Sequence, residues 1–263
     1  MDWLERNLRG MRATLAAFAE GSGAQLLELD GLIATVNPAV AERSVFNSVV
    51  YSDLEALAAR RDELAAIYAD AGCAWTVWVP EYDEASARML EGAGHTRDAQ
   101  PRAMGVELVA LTEPDLSGID WTAEGDAEEM AALNDGAYGY PAGTWIKGMG
   151  RDTPGLRTYI ARNDGRPAAT VGVRDVEGDC TVWNVATAES ARGRGLSTAL
   201  MRKAMFDAEQ RGCPTSTLQA TKLGAPVYRR CGYEDFGALQ MWEWRPPELA
   251  GQAHPTPAAR PGA

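Results

Sequence analysis

Ala191-Arg192-Gly193-Arg194-Gly195-Leu196-Ser197-Thr198 is the stretch whose reading decides the fold. It stands between a β-branched run, Thr181–Thr187, and a helical pattern that reaches Gln210 and stops at Gly212 and Pro214. In that pattern Leu196, Leu200 and Ala204 share one face, with Met201, Met205 and Ala208 beside them. The order is strand, glycine turn, helix. Two glycines let the backbone turn sharply and present successive N–H groups where the helix begins. Those amides, with the positive end of the helix dipole, form an anion site suited to a pyrophosphate. No Lys-Ser/Thr pair follows Gly195, which excludes a P-loop, and the spacing is not that of a dinucleotide-binding turn. Taken alone, the loop is equally a Gly-rich connection without a ligand.

Working outward, Tyr159–Arg162 and Ala168–Asp175 read as a hairpin across Asn163-Asp164-Gly165. Thr215–Ala220 reads as a strand, Gly224–Arg230 as a short helix and Phe236–Trp244 as a last strand. Asp126–Asp135 is helical by pattern, and Tyr138–Arg151 reads as a loop rich in glycine and aromatics. On the N-terminal side, residues 1–20 form a helix with Leu4, Leu8, Met11, Leu15 and Phe18 on one face. Val45–Tyr51 and Ala74–Val79 read as strands around a helix capped by Asp53; a short helix, Glu84–Leu90, and a strand, Ala103–Leu111, follow. Thr112–Asp120, with Pro114 and Gly118, is the linker.

The composition narrows the chemistry. The chain has 263 residues, 46% of them apolar, which suits two domains with real cores. Its formal net charge of −12 argues against a nucleic-acid partner. The same charge suits either a cationic amine substrate or plain solubility. Only two histidines, His95 and His254, are present, so a Ser-His-Asp triad or a multi-histidine metal site has almost no material; no metal is expected. Cys73, Cys180, Cys213 and Cys231 have no C-x-x-C spacing and read as reduced thiols. Neither a signal peptide nor a membrane-spanning run is evident, which points to the cytoplasm and no membrane partner.

Three linked stretches resemble the GNAT superfamily of acyl-CoA-dependent N-acetyltransferases. Arg192-Gly193-Arg194-Gly195-Leu196-Ser197 is similar to the family signature Gln/Arg-x-x-Gly-x-Gly/Ala, with Ser197 in place of the last small residue. Asn184-Val185-Ala186-Thr187 resembles its bulged fourth strand. Leu218 to Tyr233 resembles its second signature, ending in Tyr-x-x-x-Gly-aromatic at Tyr228, Gly232 and Tyr233. Order and spacing agree over residues 117–245.

The resemblance implies acetyl-CoA as co-substrate, bound in a gap between splayed fourth and fifth strands. Val185, Ala186 and Thr187 would hold the pantetheine arm through their backbone. Arg192, Gly193, Arg194, Gly195, Leu196, Ser197 and Thr198 would wrap the pyrophosphate. Tyr228 would donate a proton to the leaving thiolate; a phenol near pKa 10 and a thiol near 8.5 are suitably matched. Asp179 and Glu243 are the carboxylates nearest these strands in sequence, and each is expected to be a solvated surface charge. Tyr138, Tyr140, Trp145 and Met149 either line an acceptor pocket or pack against one another.

The two halves repeat. Phe46-Asn47-Ser48-Val49 matches Trp183-Asn184-Val185-Ala186 in type, and Asp70-Ala71-Gly72-Cys73 matches Gln210-Arg211-Gly212-Cys213. In the first copy, Ser52-Asp53-Leu54-Glu55 stands where the glycine loop would be and Leu90 falls where Tyr228 would; this copy is also expected to lack the first strands of a full domain.

The expectation is therefore an α/β protein of two GNAT-like modules in tandem, each a mixed twisted sheet flanked by helices. Residues 1–112 would be a degenerate module without a cofactor loop, 117–246 the complete acetyltransferase domain, and 247–263 a disordered tail. The expected activity is transfer of an acetyl group to a primary amine of a small molecule or peptide, by direct attack in a ternary complex, in a monomer or homodimer. The alternatives are a non-catalytic acyl-CoA-binding or sensing module, and a transferase for another acyl-CoA or nucleophile.

Overall fold

A computed structural model describes residues 2–249. Asp2 caps the first helix, α1 (Trp3–Ser22), by accepting from the Glu5 amide at 3.0 Å, and Gly23, in the left-handed region at φ 72°, ends it. Then come β1 (Gln25–Leu29), β2 (Leu32–Val36) and β3 (Ser48–Tyr51), followed by α2 (Leu54–Asp70), β4 (Trp75–Pro80), α3 (Glu84–Gly92), β5 (Thr96–Ala99) and β6 (Arg102–Glu107). The second half begins at β7 (Asp120–Thr122) and continues through α4 (Ala127–Tyr138), α5 (Thr144–Met149), β8 (Arg157–Asn163) and β9 (Arg166–Val176). It closes with β10 (Asp179–Thr187), α6 (Leu196–Gln210), β11 (Thr215–Ala220), α7 (Ala225–Arg230) and β12 (Glu234–Trp244).

This is the mixed α/β architecture expected. Strand, helix, strand recurs in both halves: β3-α2-β4 and β10-α6-β11 each form a parallel pair with a helical crossover. Three local readings change. The hairpin β1–β2 turns on Asp30-Gly31 and supplies the first strands that the first half was expected to lack, so that expectation does not hold. Val45–Tyr51 is a strand only from Ser48 onward, because Ser44–Phe46 is a 3-10 turn. The Tyr138–Arg151 loop contains α5, whose start is held by Asp135 of α4 accepting from the Gly143 and Trp145 amides. Of the expected tail, Pro247–Leu249 is a 3-10 turn and the rest, with His254, lies outside the described residues.

All twelve strands join in one sheet, ordered β1-β2-β3-β4-β12-β6-β11-β10-β9-β8-β7, with β5 beside β12. The halves exchange strands at the centre. The second part of β12 lies between β4 and β5 of the first half, with Leu239–Trp244 against Pro80–Trp75 and Glu243 opposite Thr96. Reciprocally, β6 lies between β11 and the first part of β12, with Arg102–Glu107 against Ala220–Thr215 and Gly105 opposite Glu234. The core follows the exchange. Met104 of β6 packs with Tyr159, Val171, Val182 and Leu218 of the second half, while Trp242 of β12 packs with Leu57, Leu64 and Trp75 of the first. Each buried side chain of this size contributes about 2 kcal/mol to the other half's core. Helix α1 lies across the seam, packing Leu8, Met11 and Leu15 on Ala103, Leu239 and Met241.

The exchange predicts that fragments 1–112 and 113–249, made separately, show no cooperative unfolding transition and recover one when co-expressed. A 113–249 fragment that unfolds cooperatively as a monomer would contradict it.

Candidate functional site

Strands β10 and β11 start as neighbours and then part. Their parallel register holds from Asp179–Thr215 to Val182–Leu218 and ends there, although β10 runs on to Thr187 and β11 to Ala220. The cause is a bulge: Asn184 and Val185 stand opposite the single Val171 of β9, between the pairs Trp183–Gly172 and Ala186–Thr170. Asn184 takes φ +55°, a left-handed conformation that asparagine tolerates better than most residues. Past the bulge, Ala186 and Thr187 pair with β9 on one side and face the gap on the other. An extended chain fits such an edge as an added strand.

The glycine loop lies at the open end. After the 3-10 turn Glu189–Ala191, Gly193 and Gly195 take φ +81° and +78°, with open space where a Cβ would stand. Gly195 is the N-cap of α6 and offers no side chain to its amides; the first turn carries no acid. The N–H groups of Leu196, Ser197 and Thr198 therefore lack a capping acceptor among the described residues. Arg192, Gly193, Arg194 and Gly195 are exposed, Leu196 to Thr198 half-buried. Arg194 Nη1 donates to Asn163 Oδ1 of the β8–β9 turn at 2.7 Å, and the Thr187 and Ser197 hydroxyls bond each other, tying β10 to the helix start.

Tyr228 stands on α7, just after β11 and on the far side of the gap. It is buried among Ala220, Ala225 and Cys231, edge-on to Tyr233 at 6.0 Å, and its hydroxyl has no hydrogen-bond partner among the described residues. Burial pushes its pKa far up, and the nearby Tyr138 hydroxyl adds to the rise, so the phenol stays protonated but is a weaker acid than the expected match to a thiol near 8.5 assumed. Tyr138, Tyr140 and Trp145 stack with centroids 5.7–6.0 Å apart, and Arg43 of the first half lies 4.4 Å above the Tyr140 ring. Phe46 meets Trp145 edge-on at 5.1 Å, and Met149 is wholly buried in the same cluster. The aromatics thus pack against one another.

The two carboxylates are not surface charges. Asp179 is fully buried, accepting from the Thr215 and Thr217 hydroxyls, and burial raises its pKa. It sits at the closed end of β10, about 23 Å along the strand from Ala186. Glu243 is buried between β4 and β5, bonded to Ser44 and Arg245. Neither reaches the gap. Three surface clefts, of about 800, 320 and 610 Å³, lie elsewhere, beside α3, between α2 and Trp75, and below α4.

The first half differs at the matching place. Between β3 and α2 only Ser52 and Asp53 intervene, and Asp53 Oδ1 accepts from the Ala56 amide at 2.8 Å, with Glu55 beside it. That helix start is already neutralised. Asn47 also departs from Asn184: it has φ −122° and lies at the paired end of β3, its carbonyl accepting from the Thr76 amide. Leu90 is a wholly buried core residue. Among the described residues no group of His, Cys, Asp and Glu could hold a metal, and no helix is long and apolar enough to cross a membrane.

Residues 154–235 match the family described as "Acetyltransferase (GNAT) domain". Among solved structures, a GCN5-related N-acetyltransferase from Kribbella flavida is 21% identical, with 92% of this chain and 97% of that one covered at a TM-score of 0.66. A GCN5-related N-acetyltransferase from Sphaerobacter thermophilus is 16% identical, covering 92% and 94% at 0.59. A tandem GNAT protein from the clavulanic acid biosynthesis pathway is 12% identical, covering 91% and 95% at 0.57. At these identities the likeness is one of fold, and it extends over both halves. No curated protein matches the sequence.

The left-handed loop predicts that Gly195→Ala lowers stability by about 1 kcal/mol, since the added Cβ meets only the backbone penalty. An unchanged denaturant midpoint would show that the turn is not held in this conformation.

Proposed function

Because residues 154–235 match a GNAT acetyltransferase domain within a GNAT fold that spans both halves, we propose that the chain transfers an acetyl group from acetyl-CoA to a primary amine. The observation that carries this reading is the pairing of a free strand edge at Val185–Thr187 with an uncapped, acid-free helix start at Gly195. The pantetheine amides fit the first and the pyrophosphate the second, with Arg192 and Arg194 adding positive charge.

The amine nitrogen attacks the thioester carbonyl carbon, a C–N bond forms, and the C–S bond breaks. The departing thiolate takes its proton from the Tyr228 hydroxyl, a transfer that the raised pKa makes uphill, and the phenolate regains a proton from the attacking nitrogen through water. No acyl-enzyme is required: Cys231 is buried and its thiol pKa is raised, the wrong direction for a nucleophile. The amine loses its proton to water, since Asp179 and Glu243 lie away from the gap. The acidic balance of the protein favours a cationic acceptor.

In this reading the first half is a degenerate module that binds no acyl-CoA. The Asp53 cap and Leu90 support that, and Arg43 and Phe46 give it a share in the acceptor wall.

Thiol release from acetyl-CoA across a library of amines tests the activity. Tyr228→Phe is expected to lower turnover at least tenfold while coenzyme A still binds. Equal turnover removes Tyr228 from the chemistry, and binding without thiol release under every acceptor contradicts catalysis altogether.

A further inference from the structure

The bulge on β10 is held by side chains from α4 and α5. Trp145 Nε1 donates to Asn184 Oδ1 at 2.9 Å, and Asn134 of α4 donates to the Asn184 carbonyl at 3.4 Å. Asn184 Nδ2 in turn lies 3.6 Å from Met149 Sδ. All four residues are buried. An asparagine keeps a left-handed backbone inside a strand only while other contacts hold it there, and here α4 and α5 supply them. Trp145 itself is fixed from two directions. Asp135 accepts from its backbone amide at 2.9 Å, and Phe46, from the 3-10 turn of the first half, meets its ring edge-on. That phenyl ring fills the space where Gly148 lacks a Cβ, so α5 and the turn are seated one in the other.

We propose that Trp145 is a positioning residue for the donor strand, and that the first half acts on the acyl-CoA site by seating Trp145 against Asn184. The inference rests on the acyl-CoA reading given above. The Trp145 N–H sets the angle at which β10 leaves β11, and with it the spacing between the Val185–Thr187 edge and Tyr228. It also links the two substrates physically: an acceptor that settles against the Tyr138–Tyr140–Trp145 stack presses on the bond that shapes the donor edge.

The test uses the full-length protein. Trp145→Phe keeps an aromatic ring in the stack while removing the N–H and part of the indole. Asn184→Gly keeps the left-handed backbone while removing the acceptor. Each is expected to weaken coenzyme A binding about three- to tenfold, the worth of one neutral hydrogen bond. KM for acetyl-CoA should rise in proportion, with kcat within about twofold. In the double variant the two losses should not multiply, because both remove the same bond. Wild-type affinity in either single variant, or multiplying losses in the double one, overturns the proposal. If Trp145→Phe fails to fold, Asn184→Gly carries the test by itself. Exchange of the Trp145 indole proton, followed by NMR, reads the bond without any substrate: it should be slow in the wild type and at least tenfold faster in Asn184→Gly and Phe46→Ala. Equal rates overturn the proposal even if the protein turns out not to bind coenzyme A, a result that would separately remove the acyl-CoA reading.

Discussion

The left-handed backbone at Asn184 is the constraint on which the site depends. A regular β10 would continue its parallel pairing with β11 beyond Val182–Leu218, and its edge groups would be consumed by the sheet. The bulge ends that pairing and leaves a strand edge inside the protein with no strand beside it. Such an edge is unfavourable to bury unless a ligand completes it, which is why its presence beside a bare helix start carries functional meaning. Asparagine suits the position better than glycine would, because its side-chain amide also accepts from Trp145 and so connects strand, helix and aromatic stack.

The strand exchange gives that arrangement its rigidity. With β6 inside the second sheet and β12 inside the first, neither half has a complete core without the other. The first half need not bind anything to be indispensable. It supplies Met104 to the core beneath the gap, α1 across the seam, and Phe46 and Arg43 against the aromatic wall. The Asp53 cap on α2 is compatible with a first half retained for its structure.

Much of this was legible in the residues, and what was not has identifiable causes. The turn at Gly193 and Gly195 could be read because positive φ restricts the residue type, and the structure places both glycines there. The β8–β9 hairpin was announced by Asp164-Gly165 for the same reason. Asp30-Gly31 carries the same signal for β1–β2, but both flanking strands are short, β1 partly exposed and β2 buried on both faces, so neither shows clear alternation. Helix α5 has six residues, one of them Gly148, and exists because Asp135 caps it and Phe46 packs on it; neither contact is local in sequence. The exchange of β6 with β12 was invisible for a stronger reason: antiparallel strands of similar composition satisfy either sheet, and only three-dimensional register chooses. Asp179 and Glu243 misled because charge defaults to the surface, whereas paired threonine and serine hydroxyls let both be buried.

We propose one seat for acyl-CoA, in the second half, built from the β10 edge and the start of α6. A crystal structure of the full chain with coenzyme A tests it most directly. One nucleotide per chain is predicted, its pyrophosphate on the amides of Gly193 to Thr198 and its pantetheine along Val185 to Thr187, with sulfur directed toward Tyr228. A nucleotide at Ser52-Asp53 in the first half, or at both places, would contradict it.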